Sequence, residues 1–156
     1  MKVLKFGGTS VADSRSIDKV ISILKSNDEP LFIVVSALSG ITNLLQKCLN
    51  KNGESVNDII TEIEQRHLQV ITDMCDYNNQ TSLKNFLRDN LNELDDLLNL
   101  ISETGEVSNE KKSKVLTLGE ILSSNIIYEI LRQKGLDISH IDSRELIFTK
   151  NSNSNI

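Results

Sequence analysis

The N-terminal stretch KVLKFGGTS, residues 2–10, constrains the fold of this chain more than any other segment. Its apolar positions are typical of a buried β-strand: Val3, Leu4 and Phe6. Residues 13–26 carry apolar side chains at helical spacing, so Gly7 and Gly8 lie where a strand passes into a helix. Glycine permits a tight turn and a close approach of other groups to the main chain. The chain is therefore expected to begin with a strand that turns sharply into a helix.

A second apolar run, LFIVVS at residues 31–36, follows Pro30 and precedes a serine–glycine pair at 39–40. A short run rich in β-branched residues is typical of a buried parallel strand. The predicted helix between the two strands has an apolar face formed by Ile17, Val20, Ile21 and Leu24. Two parallel strands joined by a helix form a βαβ unit with a right-handed crossover. The fold class predicted from this pattern is α/β.

The middle of the chain, about residues 56–102, has a helical pattern instead. Two segments have residues at steps of three and four that are apolar except for one histidine: Ile60, Ile63, His67, Ile71 and Met74, then Leu87, Leu91, Leu94, Leu98 and Ile101. These patterns predict amphipathic helices over 56–75 and 83–101 that pack on each other. A third helix is predicted over 115–134, with Gly135 as its C-terminal stop. LDISHID (136–142) and ELIFT (145–149) then predict two short strands.

Charge and composition exclude several classes of protein. The net charge is −5 and no basic block occurs, so nucleic acid is not expected as the main partner. No apolar run approaches the ~18 residues of a membrane span, and no signal peptide is recognised, which indicates a cytoplasmic protein. Cys48 and Cys75 lack the spacing of a metal site and are expected to form no disulfide.

The first glycine turn has the features of a phosphate-binding site. Lys5 adds a positive charge at the end of the first strand, where open α/β sheets bind ligands. Main-chain amides at the start of a following helix attract anions, and glycines let a bulky anion approach. The alternative is an ordinary strand-end lysine followed by a glycine turn, because the motif matches neither common glycine-rich nucleotide loop.

The segment VVSALSGITNLL, residues 34–45, repeats the order of strand, small polar residues, glycine and helix. Four short hydrogen-bonding side chains lie where this second strand ends: Ser36, Ser39, Thr42 and Asn43. Helix capping by Ser39 or Thr42 is the alternative explanation, although capping does not account for all four.

A third candidate is TLGEILSSNI, residues 117–126, where Glu120 follows Gly119 inside a helical pattern. A glycine inside a helix costs ~1 kcal/mol relative to alanine, which indicates a packing reason or a close approach. Glu120 is suited to receive an ammonium group. The alternative is a solvated or ion-paired surface glutamate.

KFGGTSVAD, SALSGITNLL and LGE together resemble aspartokinases of the amino-acid kinase family. HIDSRELIFT and the helical middle also resemble that enzyme, so the resemblance covers essentially the whole chain. It implies a three-layer α/β sandwich with a mostly parallel sheet and a helical subregion at about 56–102. It also implies that residues 1–156 correspond to the N-terminal portion of the catalytic domain, since the family's later GRGGSD-type segment, nucleotide region and ACT domains are not found here.

The resemblance implies transfer of the γ-phosphoryl group of ATP to the side-chain carboxylate of L-aspartate, which gives 4-phospho-L-aspartate. Lys5 would be the catalytic cation and, with Gly7, Gly8, Thr9 and Ser10, would hold the ATP phosphates, with Mg²⁺ as the implied metal. The residues implied for aspartate binding are Ser36, Ser39, Thr42 and Glu120. An allosteric homo-oligomer in the pathway to lysine, threonine and methionine is implied for the full-length enzyme.

Two alternatives remain at this point. One is a non-catalytic α/β interaction module, which the long helical middle without site motifs favours. The other is an amino-acid kinase that acts on a different carboxylate. Asp142 and Arg144 match a family segment and receive no direct role, and His67 and His140 are expected to be structural.

The 156 residues alone are expected to turn over little or no substrate. The reason is that they do not include the later family segments that complete the active site. A coupled assay of ADP formation from ATP and L-aspartate measures this. A rate near that of a full-length aspartokinase would contradict the expectation.

Overall fold

The computed structural model describes residues 1–50 and 55–147. Within them a two-stranded parallel sheet accompanies a largely helical body, so the α/β class is confirmed. The elements in chain order are β1 (Lys2–Phe6), a 3-10 helix (Gly8–Val11), α1 (Ser14–Lys25), β2 (Leu31–Val35), α2 (Ile41–Asn50), α3 (Val56–Met74), α4 (Tyr77–Thr104), α5 (Asn109–Gln133) and α6 (Ser143–Leu146).

The N-terminal βαβ unit forms as predicted. The strands pair in parallel from Lys2 opposite Leu31 to Phe6 opposite Val35. The Asp13 carboxylate caps α1 by accepting a 2.8 Å hydrogen bond from the Ser16 amide, and this bond lowers the pKa of Asp13. Both strands consequently end at the same edge of the sheet, next to the 3-10 helix and α2.

The sheet is buried on one face only, so the prediction of two buried strands is correct for that face and wrong for the other. Val3 of β1 is 64% exposed, and Phe32 and Val34 of β2 are 39% and 38% exposed. Side chains alternate between the two faces of a strand. The residues on the opposite face pack against the core: Leu4, Phe6, Leu31, Ile33 and Val35. The described helices thus cover a single face of the sheet.

Three long helices and α2 build most of the core. Every predicted helix is present, but α4 and α5 begin six residues earlier than the apolar pattern indicates. Polar residues extend each first turn, and the Ser108 hydroxyl caps α5 by accepting a bond from the Lys111 amide at 3.2 Å. Gly105 and Gly135 end α4 and α5 with positive φ angles of 67° and 81°.

The two C-terminal strands are not found in the described part of the chain. Residues 136–142 have no regular secondary structure, and Ser143–Leu146 form the short helix α6. The Asp142 carboxylate favours this helix because it accepts a 2.9 Å bond from the Arg144 amide. The last residues of ELIFT and the terminal NSNSNI lie outside the described residues.

Burial explains why both cysteine thiols have raised pKa values. Cys48 and Cys75 are free thiols in the core, and burial raises the pKa of each thiol to about 11. Among the described helices, none combines the length and apolarity that a bilayer crossing requires.

His67 is a fully buried member of the α3 core face. Its Nδ1 lies 2.7 Å from the Ile63 carbonyl oxygen, whereas Nε2 has no partner among the described residues. Because only a protonated nitrogen can donate to a carbonyl, we assign the neutral tautomer with hydrogen on Nδ1. Burial lowers the pKa of His67 to about 4.

Stability is expected to fall as the pH decreases from 6.5 to about 4, because the unfolded chain binds a proton at this position before the folded chain does. The difference between the two pKa values corresponds to about 3 kcal/mol. The unfolding free energy of His67→Leu should not show this loss. Urea unfolding at several pH values should therefore show that the unfolding free energy of His67→Leu rises relative to that of wild type by this amount as the pH falls. Exposed His140→Gln is the matched control and should follow wild type. Parallel pH profiles for His67→Leu and wild type would contradict the prediction.

Candidate functional site

A small cavity of about 300 Å³ lies at the carboxyl ends of the two strands. It is formed by the 3-10 helix and by the segment that joins β2 to the first turn of α2, residues 36–43, here called the β2–α2 segment. The lining residues are Gly8, Thr9, Ser36, Ala37, Leu38, Ser39, Gly40, Thr42 and Asn43. The structure therefore brings together the first two sequence motifs.

Gly8 allows the main chain of the 3-10 helix to contact the main chain of the β2–α2 segment directly. A Cβ atom at this position would lie 2.9 Å from the Ala37 carbonyl oxygen and 3.4 Å from the Ser39 Cα. Real Cβ atoms essentially never approach a heavy atom below 3.0 Å, and a main-chain carbonyl cannot swing away as a side chain can. The second glycine of the motif is thus required by packing. Gly7 has no such neighbour within 4 Å.

Polar groups around the small cavity are available for a ligand. Five lining side chains make no hydrogen bond within residues 1–50 and 55–147: Thr9, Ser36, Ser39, Thr42 and Asn43. The capping alternative for Ser39 and Thr42 therefore finds no support. Main-chain bonds in this turn run from the Ile41 amide to Leu38 and from the Leu44 amide to Gly40. The positive end of the α2 dipole accordingly faces the cavity.

The N-terminal motif places its remaining residues differently. The Ser10 amide donates to the Gly7 carbonyl oxygen at 2.8 Å, so Ser10 has its hydroxyl but not its amide for a ligand. Lys5 is exposed, stands opposite Val34 in the strand register and does not line the small cavity. Within the described residues Lys5 pairs with no carboxylate, so its charge is not neutralised by an ion pair.

Glu120 lines a second, larger cavity of about 800 Å³ between β2, α5 and residues 136–146. Phe32 and Val34 contribute the apolar wall, and Val34 is also the register partner of Lys5. Glu120 is half-buried, and no described residue forms an ion pair with it, so the alternative of an ion-paired surface glutamate is not supported. Glu120 thus lines this second cavity, and neither Lys5 nor Glu120 lines the small one.

Residues 136–146 contact α5 through His140 and contain an internal ion pair. The His140 ring lies 5.5 Å from the Tyr128 ring, and its Nε2 is 3.3 Å from the Ser124 hydroxyl. Arg144 forms a bidentate pair with Asp142, and this pair lowers the pKa of Asp142 to about 2. Asp142 and Arg144 thus pair with each other at the margin of the second cavity.

Gly119 provides the close approach that the sequence indicated. A Cβ atom there would lie 2.8 Å from the Ala37 Cβ and 3.2 Å from the Ile41 Cγ2. Helix α5, which carries Glu120, therefore packs directly on the β2–α2 segment. Ala37 is 2% exposed and touches both Gly8 and Gly119.

The sequence did not indicate two residues that contact the β2–α2 segment. Arg66 of α3 donates to the Ser39 carbonyl oxygen at 3.0 Å and pairs with Glu62 at 2.5 Å. Ser123 of α5 donates to the Ser36 carbonyl oxygen at 2.8 Å. Arg66 is exposed on its helix, where a polar residue carries no signal in the periodic pattern. Ser123 instead lies on the buried face of α5 beside Leu122 and Ile126, and its interruption of that apolar face is the signal that could have identified it.

Gly8→Ala is expected to destabilise the protein by about 1–3 kcal/mol, because the added methyl group forces the two main-chain segments apart. Gly7→Ala is the matched control. Its φ of −74° suits alanine and its surroundings are open, so its stability should equal or slightly exceed that of wild type. Chemical denaturation of the three proteins measures the difference. Equal stabilities for the two variants would contradict the close contact at Gly8.

Comparisons with known proteins connect this geometry to a family. The sequence profile described as "Amino acid kinase family" matches residues 1–156. An aspartokinase from Chlamydia muridarum is 29% identical over 147 residues, which are 94% of this chain and 31% of that protein. A chloroplastic bifunctional aspartokinase/homoserine dehydrogenase from Arabidopsis thaliana is 27% identical over 157 residues, 98% of this chain and 17% of that protein. The chain therefore spans less than a third of each of these relatives.

Solved structures share the fold. The structure of E. coli aspartokinase III in complex with aspartate and ADP superposes with a TM-score of 0.78 at 24% identity, over 88% of this chain and 30% of that chain. The aspartate kinase of Clostridium acetobutylicum gives a TM-score of 0.62 at 26% identity, over 84% of this chain and 29% of that chain. The match of the family profile to all 156 residues, with a fold shared by two aspartokinases, shows that the chain belongs to the amino acid kinase family.

Proposed function

We propose that this chain forms part of an aspartate kinase, which transfers the γ-phosphoryl group of ATP to the side-chain carboxylate of L-aspartate. The observation that carries the proposal is the convergence of the two glycine-containing motifs on one small cavity with unbonded polar side chains. Its relatives named aspartokinase support the choice of substrate. Aspartate and ADP are bound together in the structurally similar E. coli enzyme.

The phosphate end of the site is assigned to the N-terminal motif. Gly7 has open surroundings that leave room for phosphate oxygens, and Gly8 lines the small cavity. Thr9 and Ser10 offer hydroxyl donors. Lys5 supplies a full positive charge that offsets the charge of the transferring phosphoryl group. This role is supported by the exposure of Lys5 and by its lack of a carboxylate partner among the described residues.

The aspartate end is assigned to the β2–α2 segment and α5. The hydroxyls of Ser36, Ser39 and Thr42 are free to bind the substrate's carboxylates, and the positive end of the α2 dipole favours the same groups. Glu120 receives the α-ammonium group, since it is half-buried and unpaired in the described part of the chain. Its place beside the second cavity implies that a bound aspartate extends from the small cavity toward α5.

The chemistry needs no general base. A carboxylate with a pKa near 4 is ionised at neutral pH and already carries the attacking electron pair. The γ-phosphoryl group passes from the β-phosphate oxygen to a carboxylate oxygen, and ADP leaves with the bridging oxygen. Catalysis of such a transfer depends on alignment and on stabilisation of charge. The residues named above therefore contribute to alignment and to charge stabilisation as one part of the site of the whole protein.

Magnesium, which the resemblance implies, has no cluster of acidic ligands in the described residues. No group of three His, Cys, Asp or Glu side chains within residues 1–50 and 55–147 is placed to hold a metal ion. Mg²⁺ at phosphoryl-transfer sites is held largely by substrate phosphates and water with one or two carboxylates, so a cluster of three protein ligands is not required. The roles given above are stated for side chains and main-chain amides only. For the whole protein we further propose that it is a homo-oligomer located in the cytoplasm. Its reaction would belong to the synthesis of lysine, threonine and methionine.

Lys5→Ala in the whole translation product of the gene is expected to lower kcat for aspartate phosphorylation by about 10²–10³-fold, because a preorganised charge at the phosphoryl group is lost. Its unfolding free energy should change by less than about 0.5 kcal/mol, since the side chain is exposed. Lys2→Ala on the same strand is the control and should retain activity, because Lys2 pairs with Glu29 at 3.1 Å. A coupled ADP assay and urea unfolding measure both quantities.

The same assay separates the alternatives. A protein that phosphorylates L-glutamate in preference to L-aspartate would be a different amino-acid kinase. A folded wild-type protein that releases no ADP with either substrate would favour the non-catalytic interaction module and overturn the proposal.

A further inference from the structure

One side-chain hydrogen bond joins α5 to the end of β2. The Ser123 hydroxyl lies 2.8 Å from the carbonyl oxygen of Ser36, 87 residues earlier in the chain. The same hydroxyl lies 3.2 Å from the carbonyl oxygen of Glu120 in its own helix. Ser123 is fully buried. A single buried hydroxyl thus lies between the main chains of two residues to which the proposed function gives aspartate contacts.

Five other helical hydroxyls in the described chain have acceptors within their own helix. They donate to carbonyl groups of their own helix, three or four residues earlier, as serine and threonine usually do: Ser22, Thr61, Thr104, Thr117 and Ser124. Ser123 has such an acceptor in Glu120, yet its shorter contact is the one to Ser36. The local geometry of a helix therefore does not account for this bond.

Ser36, whose carbonyl oxygen accepts this bond, is also hydrogen-bonded to β1. Ser36 follows the last paired residue of β2, and its amide donates to the Phe6 carbonyl oxygen at 3.1 Å. The two main-chain groups of Ser36 consequently contact β1 on one side and α5 on the other. Leaving a buried acceptor without a donor is costly, so loss of the Ser123 hydroxyl should release the start of the β2–α2 segment.

The bond also lies beside the Gly119 contact. Gly119 packs against the Ala37 Cβ, the residue after Ser36, so α5 meets the β2–α2 segment at two adjacent points. Packing against Ala37 limits how near the helix can come, whereas the directional hydrogen bond limits how it can slide or rotate. Glu120 lies between Gly119 and Ser123 in sequence, so its place relative to Ser39 and Thr42 depends on both contacts.

We propose that Ser123 is a positioning residue: its hydroxyl, by binding the Ser36 carbonyl, fixes Glu120 relative to the β2–α2 segment. The proposal rests on the proposed function for the role of Glu120. Ser123 makes no contact with substrate in this assignment and acts through the two segments that it joins.

The first test is amide hydrogen exchange in the 156-residue chain. Ser123→Ala should speed exchange of the Ser36 and Ile41 amides at least tenfold relative to the amides of α4, which report global opening. Ser113→Ala, at an exposed position of the same helix, is the matched control and should leave this ratio unchanged. If Ser123→Ala does not fold, Ser123→Cys, which keeps a weaker donor, is measured by the same criterion. An unchanged ratio overturns the proposal.

The second test is kinetic and uses the whole translation product of the gene. Ser123→Ala should raise the KM for L-aspartate about tenfold while the KM for ATP stays within twofold, whereas a purely structural role would leave both unchanged. An unchanged aspartate KM overturns the positioning role even where exchange is faster. If the wild-type enzyme does not phosphorylate aspartate, the proposed function fails, and the exchange ratio alone decides whether Ser123 fixes the segment.

Discussion

Ala37 is the contact on which the arrangement of the candidate site depends. Its carbonyl oxygen meets the position of Gly8 and its methyl group meets the position of Gly119, so three segments that are distant in sequence touch at one buried residue. Each contact is possible because the facing residue has no Cβ. A residue with a Cβ atom in place of Gly8 would push the N-terminal motif away from the β2–α2 segment, and one in place of Gly119 would push α5 away from it. Closely packed main chain cannot move aside to make room.

The sequence predicted these segments but not how they are held together. Periodicity predicted β1, β2 and four of the helices, because each has a regular apolar face. The positions of Gly8 and Gly119 showed that something approaches closely there, but a glycine does not name its neighbour. Arg66 carried no signal, since a polar residue at an exposed helix position is usually solvated. Ser123 interrupts the apolar face of α5, but only the fold shows that its partner is a carbonyl group of the β2–α2 segment.

The wrong predictions share a cause. A strand is stable only with a partner and a covered face, and neither is visible in the local sequence. Val3, Phe32 and Val34 are apolar, yet the described helices cover only the opposite face of the sheet. Residues 136–142 have the composition of a strand, but no neighbouring strand in the described chain pairs with them, and Asp142 caps a helical turn instead.

Positioning by main chain suits the reaction proposed for this site. A transfer between two anions gains from alignment, and a displacement of about 1 Å costs on the order of 10²-fold in rate. Lysine and glutamate side chains are flexible, so their precision must come from the segments that carry them. β1, the β2–α2 segment and α5 are fixed by a parallel ladder, two glycine contacts and the bonds of Ser36. The flexible side chains of Lys5 and Glu120 therefore extend from segments whose relative positions are set by main-chain contacts and by one buried hydroxyl.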